Sequence, residues 1–155
     1  MKGHCDCGAV HYQVMDKPLI VHCCHCRWCQ RETGSAFALN AFIETKSVKL
    51  IKGTPEALDI PSESGNGQRI HRCPTCKVTV FSNYLGLGPD FSFVRVGTLD
   101  DPDQCPPEVH IYTESKQAWV NIDDGLPVFT QYYRRSEAWS EASMLRFRAV
   151  MDARG

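Results

Sequence analysis

This chain has no excess of positive charge. Its 17 Lys and Arg are matched by 18 Asp and Glu, for a formal net charge of −1. The basic footprint of a nucleic-acid-binding surface is missing, and no nucleic-acid partner is expected. No stretch approaches the ~18 consecutive apolar residues of a membrane span, so no membrane role is expected either. The opening segment Met1-Lys2-Gly3-His4-Cys5 lacks the apolar core of a secretory signal, which points to the cytoplasm. Internal repeats, low-complexity tracts and interdomain linkers are also lacking. What remains has the profile of one globular domain, 155 residues long and 43% hydrophobic. A chain of that length buries about 70% of the surface its unfolded form exposes, so it can fold around a core of its own.

What the chain has in plenty is cysteine. Seven of the nine fall into three tight clusters: Cys5-x-Cys7, Cys24-x-Cys26-x-x-Cys29 and Cys73-x-x-Cys76. Disulfides suit short secreted chains, whereas this count is odd and the spacings set sulfurs side by side. In CxxC a tight turn brings both sulfurs to one ion, about 2.3 Å from each. In an extended CxC, residues i and i+2 share a face, so their sulfurs converge as well. Seven is four plus three, one closed tetrahedral zinc site and one with a position left open. Spacing alone does not decide which clusters share an ion. Cys5, Cys7, Cys73 and Cys76 could form the closed site, leaving Cys24, Cys26 and Cys29 for the open one. Alternatively, the CxxC pairs with two members of the middle cluster. Closing the long loop from Cys7 to Cys73 restricts the unfolded chain most, which favours the first partition.

Three thiolates around one zinc give a net negative centre, a weaker Lewis acid than a three-histidine zinc. It is better suited to binding an incoming thiol, which loses its proton on metal, than to making hydroxide. Cys23 would face away from Cys24 in a strand, so it reads as a small buried apolar residue, as does Cys105. His25, between two ligands that share a face, is expected to point away from the metal. Arg27 and Arg31 read as a solvated surface pair more readily than as receivers of substrate carboxylates. His4, His11, His22 and His71 carry no usable signal.

Strand patterns occupy 9–15, 19–23, 37–43, 48–51, 78–81, 91–96 and 110–112, with turn-rich stretches at 61–67 and 100–107. Residues 27–32 can form a short helix ending at Gly34. Many short strands between turns predict a mainly β domain. The segment 136–152 lacks Gly and Pro, and Trp139, Ala142, Leu145 and Ala149 lie at helical spacing. It is expected to be a C-terminal helix docked on the sheet, with a homodimer contact as the alternative.

These residues resemble a known family. The matching elements begin with Cys5-Asp6-Cys7-Gly8-Ala9-Val10 and the run from Cys24-His25-Cys26-Arg27-Trp28-Cys29 through Thr33-Gly34-Ser35-Ala36-Phe37. Cys73-Pro74-Thr75-Cys76 and Gly97-Thr98-Leu99-Asp100-Asp101-Pro102 follow. His110-Ile111-Tyr112-Thr113, Trp119 and Asp124-Gly125-Leu126-Pro127 complete the set. Taken in order over about residues 3 to 130, they look like the glutathione-dependent formaldehyde-activating enzyme (GFA) family, also called centromere-protein-V-like.

The resemblance implies a β-tent fold of short antiparallel sheets with zinc knuckles. A GFA-type zinc domain would span 1–135, with a helical extension at 136–155 packed on it. Two zinc ions per chain are implied: a structural one on Cys5, Cys7, Cys73 and Cys76, and a catalytic one on Cys24, Cys26 and Cys29. The implied activity is that of a carbon–sulfur lyase, joining glutathione to formaldehyde as S-(hydroxymethyl)glutathione. Its partners would be that thiol and a small aldehyde. The alternative is a non-catalytic zinc-stabilised binding module of the same fold. His110 becomes an acid/base candidate only through the resemblance. Lys77 stands where the family usually has Gly; if that position needs positive φ, the cost is about 1 kcal/mol.

Overall fold

The computed structural model describes residues 1–154. Ten strands and two α-helices are arranged as two sheets. Strands β1 (Lys2–His4), β2 (His11–Val14) and β5 (Val48–Lys52) form a small antiparallel sheet in the order β1-β2-β5. The second sheet has seven strands. β3 spans Ile20–Cys24, β4 Ala38–Glu44, β6 Glu56–Ile60 and β7 Gln68–Arg72. β8 spans Thr79–Tyr84, β9 Phe91–Arg95 and β10 Val109–Ile111. Their order is β10-β3-β4-β9-β8-β7-β6. All pairings are antiparallel except β10 with β3, which run parallel.

The centre of the large sheet is covered on both faces. Every residue of β3 and β9 is buried, so neither strand has a solvent-facing side, and the polar His22, Ser92 and Arg95 are enclosed with the rest. On one face the small sheet packs Val10, Tyr12 and Val14 against Val21, Ala41, Ile43, Val80 and Val94. The other face carries an aromatic cluster of Phe42, Phe91, Phe93, Trp139 and Phe147. Cys105 joins the first core and Cys23 is buried in β3, both as expected.

The mainly β expectation holds, and three strands escaped it. β1 is only three residues long, while β6 and β7 form an outer hairpin. β6 is almost entirely exposed and needs no apolar stripe, while β7 buries Gln68 and Ile70 between polar residues and shows only one apolar position.

The C-terminal helix also differs from the sequence pattern. Helix α2 is Glu141–Asp152; it starts at Ser140, whose Oγ accepts from the Ser143 amide at 3.1 Å. Its buried face is Ser143 and Phe147, with Met144 and Val150 partly covered, whereas Leu145 is exposed and Trp139 precedes the helix. Phe147 stacks on Phe91 with ring centroids 4.8 Å apart. Arg146 grips the buried Glu44 carboxylate through two nitrogens, at 2.9 and 2.5 Å. Those anchors set the helix rotation, and they override the stripe of Ala142, Leu145 and Ala149.

Candidate metal centres and cavity

The first cluster is built from two knuckles. In one, the Cys5 amide bonds to the Val10 carbonyl and the Gly8 amide to the Cys5 carbonyl, each at 3.0 Å. In the other, the Cys73 amide meets the Val78 carbonyl at 2.9 Å and the Lys77 amide meets the Cys73 carbonyl at 3.0 Å. Both turns close on a residue of positive φ, Gly8 at 68° and Lys77 at 64°. Lys77 therefore bears the strain expected of a side chain there. Amides also point at sulfur: Val10 N–H to Cys5 Sγ at 3.3 Å, and Thr75 N–H to Cys73 Sγ at 3.4 Å. Such bonds favour the thiolate.

These knuckles bring Cys5, Cys7, Cys73 and Cys76 together, all four sulfurs within 4.8 Å of one another. The Cys7 sulfur lies 3.7 Å from those of Cys5 and Cys73. A tetrahedron with bonds of about 2.3 Å has edges of about 3.8 Å, so the sulfurs match a four-thiolate zinc site.

The second cluster arises where β3 ends and helix α1 (Arg27–Thr33) begins. Cys24 is the last residue of β3, paired with Ala38 of β4 and Ile111 of β10. Cys26 is the extended N-cap of α1, its sulfur accepting from the Cys29 amide at 3.3 Å. Gly34, at φ 64°, ends the helix. The strand-to-helix corner turns Cys24, Cys26 and Cys29 toward one point, with all three buried. Among the described residues, no fourth Cys, His, Asp or Glu joins this group. Hydrogen bonds from Cys24 and Cys29 hold the Cys26 thiol down at about 3. A hydrogen bond with Cys24 is the largest single influence on the Cys29 thiol and lowers it, but hydrogen bonding to Cys26, burial and the charge of Cys26 together push it up to about 11.

Behind this three-cysteine cluster lies a separate polar chain. His25 and Cys23 face away from Cys24 and Cys26, as strand alternation requires. His25 Nε2 is 3.0 Å from His110 Nδ1, and His110 Nε2 is 2.8 Å from Asp124 Oδ2. With the carboxylate accepting from His110 Nε2–H, His110 Nδ1 accepts from His25 Nε2–H, which leaves His25 Nδ1 a bare nitrogen. That nitrogen is buried without a partner. Burial lowers His25 to about 4, so it is neutral at pH 7. The chain clamps the ligand loop from behind, helped by Gln30 Nε2 and Ser115 Oγ, which donate to the His25 carbonyl at 2.7 and 3.0 Å. Cys23 Sγ, 3.5 Å from His25 Nε2, belongs to this side as well.

In front of the ligands is a cavity of about 350 Å³. Cys24, Cys26 and His22 line its inner wall, beside Tyr84, Tyr112 and Asn40. Burial drives His22 down to about 3, and its Nε2 meets the Tyr133 hydroxyl at 2.8 Å. The Tyr84 phenol is raised by burial, and the Tyr112 phenol is pushed up to about 12 by burial and then by the nearby cysteines. Both remain protonated donors at neutral pH. Tyr112 adopts φ 56°, a strained conformation for a tyrosine at a cavity wall. The loop between β6 and β7 supplies Glu63, Ser64 and Asn66 to the rim, and the C-terminal segment supplies Tyr132 and Arg135.

Arg27 and Arg31 lie outside this cavity. Both are exposed, and Arg27 donates to Gln30 Oε1 at 2.5 Å. Tyr112 and Asp124 lie in the His110–Thr113 and Asp124–Pro127 elements already noted, which gave them no role; Tyr84 and Arg135 carry no motif of their own. The dense run Gln131-Tyr132-Tyr133-Arg134-Arg135 was the available signal, and only folding shows where it goes.

A chain of Halomonas elongata, provisionally named a glutathione-dependent formaldehyde-activating enzyme, is 25% identical over 130 residues, 79% of this chain and 81% of its own. A crystal structure of a Rhodobacter sphaeroides protein superposes with a TM-score of 0.51 at 20% identity, covering 83% of this chain and 99% of that one, a likeness of fold. The family model described as glutathione-dependent formaldehyde-activating enzyme matches residues 1–115. That match takes in all seven clustered cysteines together with His25 and His110, and the chain therefore belongs to the glutathione-dependent formaldehyde-activating enzyme family.

Proposed function

We propose that the protein is a zinc-dependent carbon–sulfur lyase that joins a thiol, glutathione in the leading case, to a small aldehyde such as formaldehyde. The observation that supports this reading is the three-sulfur cluster, joined by no fourth Cys, His, Asp or Glu among the described residues and opening on a cavity. In this assignment Cys5, Cys7, Cys73 and Cys76 hold a structural zinc, and Cys24, Cys26 and Cys29 hold a catalytic one. A zinc held by these three thiolates would supply an open position and the positive charge that lowers the pKa of an entering thiol.

The chain's own residues do the rest. The cavity walls exclude water from the reacting sulfur and shield the aldehyde from hydration. As the carbon–sulfur bond forms, the carbonyl π bond breaks and negative charge collects on oxygen. Tyr84 and Tyr112, protonated at neutral pH, are placed to donate to that oxygen and leave it as the product hydroxyl. The His25–His110–Asp124 chain keeps the ligand loop rigid and does not touch substrate. Reduced cysteines in this number suit a reducing compartment such as the cytoplasm.

The test is exchange NMR on glutathione with formaldehyde, with and without zinc-loaded protein. Accelerated interconversion with S-(hydroxymethyl)glutathione, lost in Cys29→Ala, is the expected result. Zinc-loaded protein that leaves the exchange rate unchanged would turn the reading toward a binding module.

A further inference from the structure

Arg135 stands apart from the other partly buried arginines. Arg72 and Arg146, whose side chains are 29% and 34% exposed, are each held by a buried carboxylate, Glu32 and Glu44. Arg135 is also half-buried, yet among the described residues its side chain makes no ion pair and no hydrogen bond. What fixes it is an aromatic bed. Its guanidinium carbon lies 4.1 Å from the centre of the Phe147 ring and 5.7 Å from that of Trp139. Stacking sets the plane of the guanidinium and leaves its fork of N–H donors without an acceptor. That fork lines the same cavity as Cys24 and Cys26. The cavity's one other formally charged side chain outside the cysteine cluster and His22 is Glu63, carried by the β6–β7 loop.

We propose that Arg135 is the carboxylate receptor of the thiol-binding cavity, so that the substrate is a peptide thiol whose terminal carboxylate pairs with Arg135 and whose amino end lies toward Glu63. This deepens the lyase reading and rests on it. The chemistry is that of a preorganised bidentate site. An immobilised guanidinium loses little entropy on meeting a carboxylate, and the planar fork matches two oxygens at once. The cavity falls within the ordinary size range of small-ligand sites. Glu63 at the rim repels the glycyl end, a carboxylate with no ammonium beside it, more than the γ-glutamyl end, where an ammonium offsets the second carboxylate, and this fixes the direction of the peptide. Arg135 lies beyond the 1–115 stretch matched by the family model, so selection of the thiol would be a property of this chain's C-terminal segment.

Titration calorimetry of the zinc-loaded protein with glutathione and with its glycyl ethyl ester tests the assignment. Wild type is expected to favour the free acid by about tenfold or more, as befits a hydrogen-bonded charge pair. Arg135→Gln should lose that preference, weakening the acid by the same factor and leaving the ester nearly unchanged. Arg135→Lys keeps the charge on a similar stem. It should retain part of the preference, and it decides the question if the Gln variant fails to fold. Equal binding of acid and ester by wild type would overturn the proposal, as would an undiminished preference in folded Arg135→Gln or no binding of either thiol. Adduct exchange measured on the same samples separates the two claims. Thiols bound with the stated preference but not turned over would sink the lyase reading and leave the Arg135 assignment standing.

Discussion

Cys26 shows how much one residue's position decides. As N-cap of a short helix it receives an amide at its sulfur, and hydrogen bonds from its neighbours hold its thiol at about 3. Cys24, raised by hydrogen bonding to its neighbours and by burial, and Cys29, raised to about 11, both stay protonated at neutral pH before metal arrives. Metal uptake at this cluster must then expel two protons, so raising the pH favours binding. The apparent affinity should climb roughly hundredfold per pH unit between pH 6 and 8. Proton release to a pH indicator, with the Cys5–Cys76 cluster already loaded, checks this. Two protons per zinc are expected, and three would mean that Cys26 is not preionised. Lys77 makes the complementary point. Its φ of 64° adds about 1 kcal/mol of strain, yet the knuckle keeps its Cys73 carbonyl bond.

Among the elements, the junction of β3 and α1 and the docking of α2 position the cavity. β3 is held between β4 and β10, so Cys24 cannot shift without breaking two ladders. Helix α2 reaches the same region through its aromatic contacts. Phe147 supports Phe42 and Phe91 on one side and the Arg135 guanidinium on the other. Phe147→Ala should cost about 3 to 4 kcal/mol and lower the melting temperature by about 10 °C, read by calorimetry. A loss below about 1 kcal/mol would mean that the helix is not integral to the core. The short helix, expected at 27–32 and found at 27–33, was legible from the Gly34 that ends it, and most strands from apolar or alternating runs between turn residues. The β6–β7 hairpin was not, since β6 is exposed and needs no apolar stripe and β7 buries a single apolar residue, Ile70. The face of α2 was misread for a different reason: Ser143 and Arg146 dock by donating to the Leu19 carbonyl and the Glu44 carboxylate, which a hydrophobic pattern cannot register.

At the scale of the whole molecule, the four-cysteine cluster joins the first knuckle to a second one 66 residues later. By analogy with a disulfide, closing a loop of that size restricts the unfolded chain by about 4 kcal/mol. Cys76→Ala should therefore unfold or aggregate the chain, while Cys29→Ala should keep the fold and hold one zinc fewer. Metal analysis with circular dichroism distinguishes the outcomes, and equal structural damage from both would contradict this division of roles. The two centres are also tied directly. Arg72, beside Cys73, donates to both oxygens of Glu32 on α1 at 2.7 and 2.8 Å. What the sequence determined by itself was which cysteines cluster, four in one group and three in another, because knuckle and cap geometry depend on residue type and short spacing, and both are local. It also determined the β character and the outward turn of His25, which follow from strand period. The cavity was decided by tertiary structure alone. Tyr84, Tyr112, Glu63 and Arg135 come from four separate segments, and no local rule relates them until both faces of the central sheet are covered and the C-terminal segment folds back over the metal ligands.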